Sequence, residues 1–222
     1  MRNTPFFIFL LWGFTSFGKD IHIRVVPVAG GQEISIGSPF VLSSDTIRIS
    51  QLRFYLSEIT YLNGDDTVWQ EPQAYRLLSL ADSNSLNFLS YLPDEFDFDA
   101  IRFNLGVDSV SSSTGAHTGA LDPANGMYWA WHTGYVNLKM EGVCSSCPPP
   151  KREFEFHIGG FQSPFNAERV ITLPTNQKDI VVFFDVGRVA YAALSMKQYA
   201  IMTPGAKAMH LADEASKSFH LK

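Results

Sequence analysis

Apolar and polar residues alternate along most of this chain, which is the pattern of a β-strand with one buried face. Near the amino terminus Ile21, Ile23 and Val25 fall on one face, while His22 and Arg24 fall on the other. The same period of two recurs in residues 52–57, 101–107 and 154–158. Alternation repeated at this spacing is typical of an antiparallel sandwich or barrel.

Turn and helix signals complete this prediction. Asn63-Gly64 is a strong hairpin signal, and the fully apolar run at residues 180–184 is typical of a central strand. Thr203-Pro204 resembles the start of a helix, and apolar residues follow it at helical spacing: Ala208, Leu211, Ala212, Ala215 and Phe219. We therefore predict an all-β fold: an antiparallel β-sandwich or barrel-like domain with one short C-terminal helix.

The first 18 residues have the composition of a secretory signal peptide. Arg2 precedes an apolar run at residues 6–12, and Ser16 and Gly18 place small residues where a signal peptidase inspects the chain. This run is far short of the roughly 20 residues that cross a bilayer. We expect cleavage after Gly18, a single domain at residues 19–222, no membrane span, and a periplasmic or secreted location.

The charge and composition of the chain bear on which binding partners and which fold it can have. Removal of the signal peptide takes away Arg2, so that the formal net charge changes from −5 to −6. A chain this acidic is not expected to bind nucleic acid. The 18 phenylalanines supply large apolar areas of the kind that packed sheets bury.

Soft metal ligands are few in this sequence. Apart from methionine, copper or zinc would have to draw on six histidines and on one Cys-x-x-Cys pair, Cys144 and Cys147. His132 lies in the aromatic segment of residues 127–135, together with Trp129 and Trp131. An imidazole in that setting is either a metal ligand or a hydrogen-bonded core histidine.

Three further histidines are either metal ligands or ordinary surface residues. His157 shares the polar face of its strand with Glu155, and His22 lies on the polar face of the first strand. His117 lies in a loop rich in Ser, Thr and Gly, where it is either exposed to solvent or a labile ligand.

The simplest state for Cys144 and Cys147 in an oxidising compartment is a local disulfide. A redox motif would need a surrounding strand-helix-strand pattern, and a closed thiolate metal site would need a second cysteine pair. The sequence contains no nucleophile elbow, zinc-protease, P-loop or dinucleotide motif. We therefore do not expect an enzyme.

Several segments together resemble the MbnP-like copper-binding domain family, periplasmic proteins related to the methanobactin-associated partner of a di-haem enzyme. The resemblance runs through nearly the whole mature chain. It rests on Leu52-Arg53-Phe54-Tyr55-Leu56-Ser57, Phe103-Asn104-Leu105-Gly106-Val107-Asp108, Gly119-Ala120-Leu121-Asp122-Pro123, residues 126–135, and Phe156-His157-Ile158-Gly159-Gly160. It implies a β-sandwich-like fold, copper as the cofactor, a periplasmic di-haem oxidising enzyme as partner and, in some members, a tryptophan oxidised to kynurenine.

The resemblance also indicates where ligands are expected. Copper-binding relatives have one histidine near the end of the Arg-Phe-Tyr segment and another just after the Gly-Val segment. This chain has Ser57 at the first place and the serines between 109 and 113 at the second. The oxidisable residue two positions before the first ligand corresponds to Tyr55.

These observations lead to a hypothesis and one alternative. The hypothesis is an exported copper-binding protein, in which His132 and His157 contribute from neighbouring strands, with His22 or His117, and Trp129 or Trp131 is the candidate for oxidation. The alternative is an extracytoplasmic β-sandwich module that binds a protein or a glycan and has lost the metal site.

Overall fold

The computed structural model describes residues 18–129, 131 and 134–222. Residues 1–17, which contain nearly all of the predicted signal peptide, lie outside the described residues. The described part forms fourteen strands: β1 Gly18–Ala29, β2 Gln32–Glu33, β3 Pro39–Leu42, β4 Asp45–Asn63, β5 Asp66–Gln70, β6 Tyr75–Ser79, β7 Asn87–Pro93, β8 Ala100–Leu105, β9 Val136–Cys144, β10 Glu153–Gly159, β11 Arg169–Pro174, β12 Asp179–Asp185, β13 Ala200–Ile201 and β14 Phe219–Leu221. It also forms three α-helices: α1 Ser109–Ser113, α2 Val186–Ser195 and α3 Ala206–Ser216.

The strands form two sheets. The smaller has five strands in the order β14-β12-β1-β2, with β7 also paired to β1. The larger is a half-barrel of nine strands in the order β11-β8-β4-β9-β10-β13, and β3, β5 and β6 also pair with β4. The predicted hairpin at Asn63-Gly64 joins β4 to β5. Gly18, after which cleavage is predicted, already pairs with Pro93 of β7.

A cluster of phenylalanines joins the two sheets. Phe54 of β4 meets Phe184 of β12 edge to face, with ring centroids 5.1 Å apart. Phe184 stacks on Phe219 of β14 at 4.3 Å, and Phe103 of β8 meets Phe219 at 5.5 Å. These rings are buried, so the alternating apolar residues of the sequence do form the core between the sheets.

A second, smaller core lies around Tyr55 of β4 and Tyr135, and is separate from the main one. It is built largely by the segment of residues 106–135, whose Val107, Leu121 and Met127 are buried there. The Tyr55 hydroxyl donates to the Ala120 carbonyl at 3.0 Å. This segment positions most of the candidate site.

The expectation of an all-β, antiparallel fold with one short C-terminal helix is correct only in part. The predicted C-terminal helix is α3, but it begins at Ala206 rather than at Thr203-Pro204 and ends at Ser216, so Phe219 lies in β14 instead. The described residues also contain α1 and α2. Both sheets are mixed, because β12 runs parallel to β1 and β13 runs parallel to β10. The fold is therefore mostly β with three helices.

Helix α2 has a clear physical cause. The Asp185 side chain accepts from the Arg188 backbone N–H at 3.3 Å, which caps the first turn. Residues at helical spacing bury one face: Val186, Val189, Ala190, Ala193 and Leu194. Within the described ranges, no helix is long and apolar enough to cross a membrane.

Candidate metal centre

His157 lies on β10, buried to 9% exposure on the polar face of its strand. Its Nε2 lies 2.7 Å from Glu141 Oε1 on the adjacent strand β9. Burial holds the pKa of His157 below its ordinary value, in spite of the hydrogen bond to Glu141. The ring is therefore neutral at pH 7, and because a carboxylate can only accept, Nε2 carries the hydrogen and Nδ1 the lone pair.

His117 lies in the segment of residues 106–135, partly exposed, with its ring 6.4 Å from that of Tyr135. Its backbone N–H donates to the Tyr135 hydroxyl at 3.0 Å, and that hydroxyl donates to the Leu121 carbonyl at 2.9 Å. His117 Nε2 lies 3.0 Å from the Ser111 carbonyl oxygen, which can only accept a hydrogen bond, and 3.0 Å from the Thr114 hydroxyl, which can donate or accept. When Nε2 carries a hydrogen, that hydrogen is shared between these two oxygens, and Nδ1 keeps its lone pair.

These two histidines share a feature of metal-binding imidazoles. Such a ligand usually donates its second ring N–H to a carboxylate or a backbone carbonyl, which fixes the tautomer and the ring orientation. Glu141 does this for His157, and the Ser111 carbonyl does it for His117. Each ring thus offers one nitrogen, Nδ1, to a metal.

The other two predicted ligands lie elsewhere or are not described. His22 is exposed on β1, in the five-stranded sheet, whereas His157 belongs to the half-barrel. It pairs with Asp179 and Leu89 of the flanking strands. His132 lies outside the described residues. In the part of the chain that is described, no three histidine, cysteine or acidic side chains are grouped as a metal site.

Two of the serines at the family's expected ligand positions donate hydrogen bonds to backbone carbonyls. Ser57 is buried, and its hydroxyl donates to the Gly106 carbonyl at 2.8 Å. The Ser109 hydroxyl donates to the Phe161 carbonyl at 3.0 Å. Hydroxyl oxygens are also poor ligands for a soft metal. These positions do not fit copper.

Carboxylates that the sequence reasoning missed lie beside these serines. Asn104 Nδ2 donates to Glu58 Oε2 at 3.1 Å and to Glu168 Oε1 at 2.8 Å. Burial, together with the charges of Asp108 and Glu58, raises the pKa of Glu168. The Tyr75 hydroxyl donates to Asp108, and burial with that bond raises the pKa of Tyr75 to about 12. The pairing depends on strand register, which the sequence alone does not show.

The cysteines are joined to each other. Cys144 and Cys147 form a disulfide with Cα atoms 5.1 Å apart, and both residues are buried. Asp45 accepts from the Ser145 hydroxyl and from the Ser146 backbone N–H, each at 2.7 Å, which anchors the loop between them. In this state the sulfurs are not thiolate ligands.

The two tryptophans of the aromatic segment differ sharply in exposure. Trp129 is 5% exposed, whereas Trp131 is 64% exposed, and their ring centroids are 5.9 Å apart. Gly159 of β10 permits this packing, because a Cβ there would lie 2.4 Å from the Tyr135 carbonyl oxygen and 2.9 Å from the Trp129 ring. Trp131 is thus the solvent-facing ring of the pair.

Comparisons with known proteins agree with this architecture. Residues 18–207 match the family model described as MbnP. The solved structure of MbnP from Methylosinus trichosporium is similar, with a TM-score of 0.61 and 12% sequence identity. That match covers 87% of this chain and 83% of the other, and at this identity it shows a shared fold. A search of the curated proteins found no match. Since the family match spans well over half of its residues, the chain belongs to the MbnP family.

Proposed function

We propose that this protein is an exported copper-handling member of the MbnP family that acts by binding the metal, without an enzymatic activity of its own. The observation that carries this proposal is the family match over residues 18–207. Copper binding is what membership in this family implies, and the signal-like composition of residues 1–18 supports export.

The chain would hold the metal with histidines other than those of its relatives. His117 supports this because its Nε2 faces the Ser111 carbonyl and the Thr114 hydroxyl, so that the tautomer with its hydrogen on Nε2 leaves Nδ1 for a metal, and because the ring is partly exposed. His132, which follows Trp131 in the sequence, is the proposed second ligand. Two imidazoles are suitable in type for copper, and a cavity of about 450 Å³ beside His117 would admit the ion. His157 is less suitable, because it is almost closed to solvent.

Copper titration of the mature chain, residues 19–222, tests the proposal. Cu(I) and Cu(II) are added in separate series, and retained metal is measured after desalting. His117→Ala and His132→Ala are expected to weaken retention strongly, while His220→Ala, on the exposed face of β14, is the matched control that retains it. Failure of the unaltered chain to retain copper, or equal retention by all variants, would overturn the proposal.

A second function is favoured by the exposure of Trp131. A large, rigid ring that is 64% exposed beside a buried one is a typical anchor for a protein or glycan partner. Its fluorescence should be quenched by acrylamide, and Trp131→Ala should abolish binding to any partner of this surface. A Trp131 shielded from the quencher would contradict this reading.

Oxidation of a tryptophan by a di-haem partner enzyme would also act at this pair. Because Trp131 is the exposed ring, we expect any added oxygen on Trp131 rather than on Trp129. Peptide mass spectrometry of protein from its native host locates the modification. Unmodified tryptophan in every preparation would contradict this expectation.

A further inference from the structure

A polar corner lies between the two sheets. It is formed by Tyr61 of β4, Glu71 just after β5, Arg76 of β6 and Ser90 of β7. Tyr61, Glu71 and Ser90 are each more than nine-tenths buried, at 0%, 7% and 1% exposure. Polar groups buried to this degree are expected to have hydrogen-bond partners.

Contacts hold these four side chains together. Arg76 forms an ion pair with Glu71 Oε1 and donates to the Leu89 carbonyl, next to Ser90, at 3.1 Å. The Tyr61 hydroxyl is close to Ser90 and to the charges of Glu71 and Arg76. The corner thus connects the half-barrel to β7 of the smaller sheet.

One polar atom of each side chain still has hydrogen-bonding capacity that is not used. Tyr61 Oη, Glu71 Oε2, Arg76 Nε and Ser90 Oγ are all buried, and apart from the contact between the Tyr61 and Ser90 hydroxyls they have no hydrogen-bond partner among the described residues. Arg76 Nε can only donate, Glu71 Oε2 can only accept while ionised, and the two hydroxyls can do either. An anion would be repelled by the Glu71 carboxylate while that group is ionised, and a metal cation would have no lone pair for Arg76.

We propose that this corner is a binding site for one water molecule, which accepts from Arg76 Nε and the Tyr61 hydroxyl and donates to Glu71 Oε2 and Ser90 Oγ. Water has the two hydrogens and two lone pairs that these four atoms require, and buried waters commonly make about three such bonds. The site makes the water part of the connection between the two sheets.

The sign of a stability change tests this site. If Tyr61 donates to a bound water, Tyr61→Phe loses a hydrogen bond, and the melting temperature of the mature chain falls by about 2–4 °C. If the hydroxyl donates to nothing, the same change removes a buried polar group that has no hydrogen-bond partner, and the melting temperature stays unchanged or rises. Tyr191→Phe is the control, since Tyr191 is 55% exposed and should show no shift.

Two further measurements keep the test decisive if Tyr61→Phe does not fold. Ser90→Ala is expected to lower the melting temperature in the same way, and ordered solvent then separates the loss of a bound water from the loss of the contact between the Tyr61 and Ser90 hydroxyls. A crystal structure of the mature chain that resolves ordered solvent is expected to show density within 3.2 Å, the usual upper bound for a hydrogen bond, of both Glu71 Oε2 and Arg76 Nε. A corner in which these side chains bond directly to each other, with no such density, would overturn the proposal.

Discussion

Removal of Arg76 should be among the most destabilising single changes in this fold. Its side chain is 15% exposed and that of its partner Glu71 is 7% exposed, so the pair is largely withdrawn from water. The guanidinium also lies 4.3 Å from the centroid of the Phe88 ring. Arg76→Leu would leave the Glu71 carboxylate buried without its counter-charge.

The magnitude follows from this burial. Breaking one side of a buried ion pair costs about 3–5 kcal/mol, because the remaining charge is uncompensated. In a chain of this length each kcal/mol lowers the melting temperature by about 2–4 °C, so Arg76→Leu should lower it by about 6–20 °C. Thermal and urea unfolding of the mature chain, followed by circular dichroism, measure both quantities.

A second variant separates the pair from general damage to the core. Replacing both partners, Glu71→Leu with Arg76→Leu, removes the uncompensated Glu71 charge. The double variant should therefore recover most of the free energy of unfolding that Arg76→Leu loses. Lys151→Leu is the matched control, since Lys151 and Glu153 form an ion pair whose side chains are 77% and 50% exposed; its effect should stay within about 0.5 kcal/mol. A loss below about 1 kcal/mol for Arg76→Leu, or no recovery in the double variant, would refute the reasoning.

Three other predictions concern the strands and loops around the candidate site. Because the pKa of His157 is lowered on folding, the unfolded chain takes up a proton on this residue before the folded chain does as the pH falls. The stability that this residue contributes is therefore complete above about pH 6.5 and is lost as the pH falls below that value. His157→Gln should flatten this part of a curve of stability against pH. Gly159→Ala should destabilise the chain by about 1–3 kcal/mol in urea unfolding, because its Cβ would press on the Tyr135 carbonyl oxygen; an unchanged midpoint would contradict this contact. The pKa of Asp45 is also lowered, since hydrogen bonds from the disulfide loop outweigh its partial burial. The stability that Asp45 contributes is therefore present above about pH 3.8 and is lost at lower pH. Asp45→Asn should remove this step from acid unfolding curves.

The strands of the fold were predictable to the extent that one face of each is buried. Ile21, Ile23 and Val25 do bury one face of β1, while His22 and Arg24 are exposed. The parallel pairing of β1 with β12 was not predictable, because alternation within a strand carries no information about the direction of its neighbour. Strand direction depends on how the connecting segments cross the sheets.

Helix α2 was predictable from the sequence and was missed. Val186, Val189 and Ala190 already show the helical period, but the helix begins directly after the apolar strand β12, without a turn signal between them. Period alone separates two such elements poorly when the first is apolar throughout. The N-cap at Asp185 was the local signal that could have marked the boundary.

The candidate site was predictable in residue type but not in geometry. The soft ligands are few, so His117 and His157 could be named from the sequence. Their partners could not, because Glu141 reaches His157 only through the register of β9 with β10, and the Ser111 carbonyl reaches His117 only through the fold of a loop. Those partners suit the tautomer in which Nε2 carries the hydrogen and Nδ1 of each ring is available.

The metal content of the purified mature chain tests the central claim most directly. The protein is loaded with copper under reducing and oxidising conditions in turn, desalted, and analysed for copper and protein in the same fractions. We predict copper that elutes with the protein in stoichiometric amount, and its loss in the combined His117→Ala and His132→Ala variant. A mature chain that elutes free of copper under both conditions would contradict the account.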